Sequence, residues 1–243
     1  DAGVLDQDYR IERGDDALFI PVLDADAVPD DLEVVERVVE ARETQTLPED
    51  LLDFAPTYER LGDLVLLDEP DPERAREAAE AIMAADLPVK TVLNRASKVQ
   101  GETRVREWDV LAGDGTETVH REYGCEFVVD VARTYFSPRL ATERHRVVEQ
   151  VEAGEHAFDM FAGVGPFAVP MAKRGAEVVA TDVNPVAIDY LRENAARNGV
   201  AERVTAIAGN VREVVPEYAG WADRIVMNLP HTSDEFLDVA VDL

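Results

Sequence analysis

The sequence predicts an α/β protein in which a parallel sheet with helices on both faces is preceded by two α+β pieces. Three observations predict it. From His156 to Met227 four short apolar runs alternate with helical patterns, the βαβαβ rhythm of a parallel sheet. A turn bearing two glycines, Gly163-Val-Gly165, separates the first of these runs from the first helix. The residues ahead of His156 instead string together short strands and turn signals with a single long helix.

The elements follow in order. Asp1 to about Pro48 reads as a small α+β piece, assigned to residues 1–50. In it Ala17-Leu-Phe-Ile-Pro-Val-Leu23 has the composition of a strand, and Asp31 to Ala41 carries the turns of a short acidic helix. Leu47-Pro-Glu-Asp50 reads as a linker. A middle α+β piece spans 54–135: Leu61 to Leu67 is a buried strand, and Asp71 to Ala85 is a helix with Pro72 in its first turn. Further strands are expected at Thr91-Val-Leu93 and around Thr103. Asp114-Gly115 signals a hairpin between Trp108–Leu111 and Glu117–Glu122, and Cys125 to Val131 continues the sheet. The third piece, 136–243, holds strands at His156–Phe161, Ala176–Thr181, Val204–Ala208 and Asp223–Met227. Its helices are expected at Gly165–Arg174, Pro185–Asn198 and near Glu213.

Composition bounds the function. At 46% hydrophobic residues the 243-residue chain can bury a core, and no apolar run approaches the roughly 18 residues of a membrane span. A soluble, cytoplasmic protein without a membrane is expected. One cysteine, Cys125, makes no internal disulfide and no thiolate metal site, so no metal is expected. The net charge is -27, with 24 basic and 51 acidic residues and only three lysines among the basic ones. That balance repels nucleic acid at long range, and it reads as adaptation of the whole surface to concentrated salt, as in a halophilic archaeon. The distribution says more than the total: residues 88–146 carry +1 and the remainder -28. This near-neutral island is where a polyanion contact is sought.

The chemistry concentrates at the strand ends. Asp159-Met-Phe-Ala-Gly-Val-Gly165 runs from a strand into a turn where Gly163 and Gly165 let the backbone approach a ligand. The pattern Gly-x-Gly-x-x-Ala also fits a dinucleotide site, but Asp159 stands where such a site has an apolar residue, and a carboxylate there suits a cationic ligand. Asp182 ends the second strand, placed to accept ribose hydroxyls, with Val183 beside it. Asn184-Pro185 are N-cap and N1 of the next helix. Asn210-Val211 after the third strand suit an adenine edge and face, and the fourth strand ends in Asn228-Leu-Pro230.

In order and spacing these motifs resemble those of class I S-adenosylmethionine methyltransferases, a Rossmann-like fold. Members that alkylate an exocyclic amine carry Asn-Pro-Pro-aromatic after strand four. Here the loop is Asn-Leu-Pro-His, which argues against such a target and for a ring nitrogen, whose methylation needs a base and a cation. Ser137-Pro138 would open a helix placing Arg139 and Glu143 four apart on one face, which in isolation is an ordinary ion pair.

Ser137-Pro-Arg-Leu-Ala-Thr-Glu-Arg144, followed by Phe158-Asp-Met-Phe-Ala-Gly-Val-Gly-Pro-Phe167 and Asn228-Leu-Pro230, resembles the archaeal tRNA (guanine-37-N1)-methyltransferase family. The resemblance runs from about Leu61 to the end, with weaker support from Gly3 to Tyr9. It implies a tRNA-shape-recognising N-terminal domain, a middle domain and a catalytic domain. S-adenosyl-L-methionine is the implied cofactor and tRNA the partner, in a monomer with no obligate protein partner. Glu143 matches the family's general base, Arg139 its guanine-orienting arginine, and Arg104 or Arg106 a second arginine. Arg144, Asp182, Val183, Asn210, Val211 and Asn228 match cofactor-contacting positions, and Asn228 and Pro230 shape the loop that receives the base. Tyr135 and Phe136 are read as packing residues, and His145 and His231 stay unassigned. The family's sheet has seven strands against four found here, so both ends are expected to be cut. Rival readings are an aminocarboxypropyl transferase of wybutosine synthesis on the same fold and a noncatalytic RNA-binding module.

Overall fold

The computed structural model describes residues 4–15, 17–42, 45–98, 101, 103–230 and 232–243. The chain divides into two compact units, 1–46 and 47–243.

In the first unit β1 (Glu12–Arg13) pairs antiparallel with β2 (Leu18–Phe19). The strand expected over Ala17–Leu23 is thus two residues long: Pro21 has no N–H to donate, and beyond it only Val22 bridges, to Leu5. The helix expected over Asp31–Ala41 does not form. Valines at 34, 35, 38 and 39 disfavour it, and the segment ends instead in a bridge between Ala41 and Tyr9, with Arg10 N–H donating to Glu40 O at 3.0 Å.

The second unit begins with a 3-10 turn, Pro48–Asp50, in place of the expected linker. The apolar run at Leu61–Leu67 is a tight hairpin and not one strand. β3 (Tyr58–Leu61) and β4 (Leu64–Leu67) turn at Gly62, whose φ of +59° is left-handed. A Cβ there would lie 2.2 Å from Thr118 Oγ1, so only glycine fits. α1 (Pro72–Ala84) is capped by Asp71, whose Oδ1 accepts the Glu73 N–H at 2.9 Å. It crosses over to β5 (Thr91–Arg95), which runs parallel to β4, and β6 (Trp108–Ala112) closes the sheet antiparallel in the order β3-β4-β5-β6.

Residues 103–105 form a turn ending in a bridge at Val105, not the expected strand, and Arg104 takes a left-handed φ of +54°. The hairpin expected at Asp114-Gly115 is also corrected. β6 pairs with β5, while β7 (Glu117–Glu122) pairs with β8 (Cys125–Asp130) through a turn at Tyr123-Gly124, both at positive φ. This second hairpin is a separate two-stranded sheet among the described residues, not a continuation of the first.

The parallel sheet follows in the order β11-β10-β9-β12, from β9 (His156–Asp159), β10 (Glu177–Asp182), β11 (Val204–Ala208) and β12 (Arg224–Val226). Its connections are α3 (Ala168–Lys173), α4 (Pro185–Arg197) and α5 (Val211–Val214), with α2 (Ala141–Val148) ahead of β9 and α6 (Leu237–Ala240) after β12. All described pairings in this sheet are parallel, as the alternation predicts. One apolar cluster runs from Leu61, Leu64 and Phe127 through Ala157 to Met171 and Leu191, so the middle and third pieces share a core.

Side-chain amides join the hairpin to the parallel sheet. Asn194 of α4 is fully buried; its Oδ1 accepts the Val128 N–H at 2.7 Å, and its Nδ2 donates to Val128 O and Val164 O at 3.2 and 3.0 Å. One turn on, Asn198 holds both backbone groups of Glu126. These amides satisfy the exposed edge of β8 as a neighbouring strand would. Replacing Asn194 with Leu should leave that edge unpaired and lower stability by about 2–4 kcal/mol. Urea unfolding followed by Trp108 and Trp221 fluorescence checks this, and a loss under about 1 kcal/mol would show the bonds to be replaceable by water.

Candidate active site

The C-terminal ends of β9, β10 and β12 meet at one crevice. Asp182, last residue of β10, stands at its floor with both oxygens used once: Oδ2 accepts the Gly163 N–H and Oδ1 the Asn184 N–H, each at 2.8 Å. Each oxygen keeps a lone pair for a further donor. Burial raises the Asp182 pKa, and the two amides oppose that rise.

The glycines of the turn divide their work. Gly163 faces the crevice at φ +54°, and a Cβ there would find its nearest neighbour, Tyr135 O, only at 3.7 Å. Gly165 does not line the crevice: a Cβ there would sit 2.2 Å from Leu191 Cδ1, so its role is to let α4 pack on the turn. Asp159 is also set back. It is fully buried at the end of β9, and burial, with the Asp182 charge adding and the nearby Phe161 and Ala168 amides opposing, pushes its pKa up to about 7. Val183 and Asn228 line the crevice, together with Leu229 and Pro230. Asn210 and Val211 do not. Asn210 caps α5 by accepting the Arg212 N–H, and Val211 is buried in the second core cluster.

Further lining comes from Thr103 and Arg104, in the connection between β5 and β6, and from residues 135–144. Arg104 lies over the Tyr135 ring at 5.3 Å, and its Nη1 donates to Pro230 O at 3.3 Å, joining the middle piece to the loop after β12. The strained backbone at Arg104 belongs to the turn that aims this side chain. Of the two arginines left open by the sequence, Arg104 reaches the crevice, whereas Arg106 lies beside Trp108 in an adjoining cavity.

The expected placement of Arg139 and Glu143 on one face of a helix is corrected. Pro138–Leu140 is a 3-10 turn and the α-helix starts only at Ala141, so the two residues are not on one helical face. Arg139 pairs with Glu59 of β3, while Glu143 is exposed and held bidentately by Arg146 at 2.6 and 2.7 Å. That pairing lowers the Glu143 pKa. Glu143 does not line the crevice, although Leu140 and Arg144 of the same segment do.

Arg144 is buried. Its guanidinium binds both oxygens of Glu122, at 2.7 and 2.5 Å, and Ser137 O at 3.0 Å, which ties α2 to β7. Tyr135 and Phe136, read from sequence as packing residues, also line the crevice, as do Phe161 and Asn184. Phe161 carries a signal in the sequence, as an aromatic directly before the glycine turn. His145 stacks on Tyr123 at 3.9 Å, and His231 lies outside the described residues.

Residues 118–243 match the TRM5/TYW2 methyltransferase domain, and residues 43–116 the TYW2 N-terminal domain. The chain belongs to the TRM5/TYW2 methyltransferase family. It is 43% identical to tRNA (guanine(37)-N(1))-methyltransferase Trm5b of Pyrococcus abyssi, over 98% of this chain and 74% of that one. It is 36% identical to the tRNA(Phe) (4-demethylwyosine(37)-C(7)) aminocarboxypropyltransferase of Pyrococcus horikoshii, over 82% of this chain and 72% of that one. Among solved structures, aTrm5 in complex with tRNALeu superposes with a TM-score of 0.75 at 33% identity, covering 98% of this chain and 77% of its own.

The buried Asp159 generates a prediction. Its pKa is about 7 in the native state against 3.8 when unfolded, so between those values the native state holds the extra proton. Its stabilising contribution is therefore complete below pH 3.8 and is lost as pH rises through about 7. Asp159→Asn should become more stable relative to wild type by up to about 1.4 kcal/mol per pH unit across that window. Urea midpoints of both proteins at a series of pH values check this, and parallel pH curves would show that Asp159 stays ionised.

Proposed function

We propose that this chain transfers the methyl group of S-adenosylmethionine to N1 of guanosine 37 in tRNA. The observation that carries this reading is a single crevice with two kinds of wall: Asp182 and the Gly163 turn on one side, and Arg104 bound to the Asn228–Pro230 loop on the other. Identity of 43% over nearly the whole chain to a protein of that activity supports it, against 36% over a smaller share for the aminocarboxypropyl transferase.

The crevice fits the cofactor. Asp182 has acceptor capacity left for ribose hydroxyls, Gly163 permits close approach of the backbone, and Val183 and Phe161 supply apolar surface for a purine. When bound, S-adenosylmethionine supplies an electrophilic methyl group on a sulfonium. Arg144 lines the crevice with its guanidinium anchored on Glu122 and Ser137 O, so it shapes the wall from a fixed position.

The guanine is turned out of the anticodon loop towards Arg104 and the Asn228–Pro230 loop. Glu143 takes the N1 proton as the new N1–carbon bond forms and the carbon–sulfur bond breaks, and the Arg104 guanidinium holds O6 where negative charge develops. In the RNA-free chain Glu143 is engaged with Arg146. Its action as base therefore requires that pair to open and the Glu143 side chain to turn towards the crevice. Pairing keeps the group ionised and ready, and release from Arg146 restores its basicity.

Incubation of the chain in high salt with unmodified tRNA and cofactor labelled either in the methyl or in the carboxyl group tests the reading. Methyl label in N1-methylguanosine is expected; carboxyl label in the RNA would indicate aminocarboxypropyl transfer, and failure to bind the cofactor would favour a noncatalytic module. Glu143→Gln should lower turnover by about 10²–10⁴-fold while leaving cofactor affinity within about two-fold. Equal losses in both would contradict the role of base. Arg104→Ala should slow single-turnover methylation by about 10²–10³-fold, and an unchanged rate would move the O6 contact elsewhere.

A further inference from the structure

A second cavity adjoins the crevice and shares Arg104, Tyr135, Phe136 and Ser137 with it. Its charge is unlike that of the chain as a whole. Arg95, Arg106 and Arg139 join Arg104 on its walls, and Glu59 is the only carboxylate among its described lining residues. Glu59 Oε1 is buried and pairs with Arg139 and, at 3.7 Å, with Arg95, which also reaches Asp68.

The remaining cations have less. Among the described residues no carboxylate forms an ion pair with Arg104 or Arg106. The Nε atoms of Arg95 and Arg104 are buried without a hydrogen-bond partner. Burial first, and then the nearby Arg95, lower the Arg106 pKa against the opposing pull of Tyr135, Asp68 and Glu59. Four guanidinium groups met by two carboxylates, Glu59 on the wall and Asp68 beside Arg95, with two buried Nε donors unmet, are unfavourable unless an anion completes them. Planar forks of this kind match the oxygens of a phosphodiester.

We propose that this cavity binds a backbone phosphate of the RNA, the one flanking the nucleotide presented to the adjoining crevice, and that Glu59 is the internal carboxylate this phosphate displaces. The inference rests on the RNA-substrate reading above and adds to it a site and its occupant. The shared wall supplies the geometry: a nucleotide whose base enters the crevice past Tyr135 and Arg104 brings its own phosphodiester to the other side of those residues. The charge pattern supplies the need. A chain of net charge -27 repels RNA at long range, so binding depends on short-range, built contacts of this kind.

The test uses the full chain and tRNA with guanosine 37, either unmodified or carrying a neutral methylphosphonate at one of the two phosphates flanking that residue. One of the two replacements should weaken binding by about ten-fold or more. Arg106→Gln should weaken binding of unmodified tRNA comparably and lower the salt slope by about one. It should then lose little more on the methylphosphonate RNA, because protein and phosphate act on one interaction. Glu59→Gln should bind unmodified tRNA more tightly at equal salt. Cofactor affinity should be unchanged in both variants, which also shows that they are folded.

Indifference to both methylphosphonates, or full additivity with Arg106→Gln, would overturn the proposal. Loss of cofactor affinity with RNA binding intact would also overturn it, assigning the cavity to the cofactor's carboxylate. Wild-type methyl transfer, measured alongside, separates the two readings: transfer with a silent cavity rejects the phosphate site alone, and an active cavity without transfer rejects the methylation reading alone.

Discussion

The buried amide of Asn194 is the joint on which the site depends. It bonds the edge of β8 and the carbonyl of Val164 inside the glycine turn, so the hairpin, α4 and the crevice floor hold one another in place. Residues 131–137 leave that hairpin directly and become the crevice wall. Asn184, capping the same helix, donates to Arg133 O at 2.8 Å and pins the exit. A buried amide can do this because it carries donors and an acceptor in one plane and leaves no polar atom unmet at low dielectric.

A second set of constraints is ionic. Arg144 is almost wholly buried, yet its charge is met by both Glu122 oxygens and a third donor by Ser137 O, and His120 adds a further contact to Glu122. Burial raises the Glu122 pKa, but these partners outweigh it and the net direction is downward. The pair locks α2 to β7 and so sets where the Glu143 backbone lies. Among the described residues Glu143 itself is tied to exposed Arg146, a pair that solvent and salt weaken. The scaffold is fixed by a buried pair and the proposed base by a loose one, an arrangement that permits motion at the reacting group alone.

Much of the fold is legible in the sequence because its signals are local. Asp71-Pro72 and Asn184-Pro185 mark helix starts whose side-chain caps the structure contains, and the alternation after His156 translates into four parallel strands. Local signals mislead where pairing is long-range. Asp114-Gly115 has the chemistry of a hairpin turn, but β6 finds its partner in β5 and β7 finds its partner in β8. Gly62 inside an apolar run is a turn because Thr118, in a strand of the other hairpin, fills the space above it. Glu59 and Arg95 look like isolated charges in strands, since only sheet packing brings them together beside Arg139.

The amino-acid sequence alone therefore determined the α/β class, the order of strands and helices in the parallel sheet, the helix caps and the residues Asp182, Gly163, Val183 and Asn228 at the strand ends. Each of these rests on period, cap or turn chemistry within a few residues. Tertiary structure decided which arginine faces the crevice, that Gly165 and Asp159 lie outside its lining, that Arg139 belongs to Glu59 and Glu143 to Arg146, and that a second, arginine-lined cavity exists. Those outcomes turn on a three-residue 3-10 turn and on contacts between distant strands, and side-chain partners chosen across space leave no periodic trace along the chain.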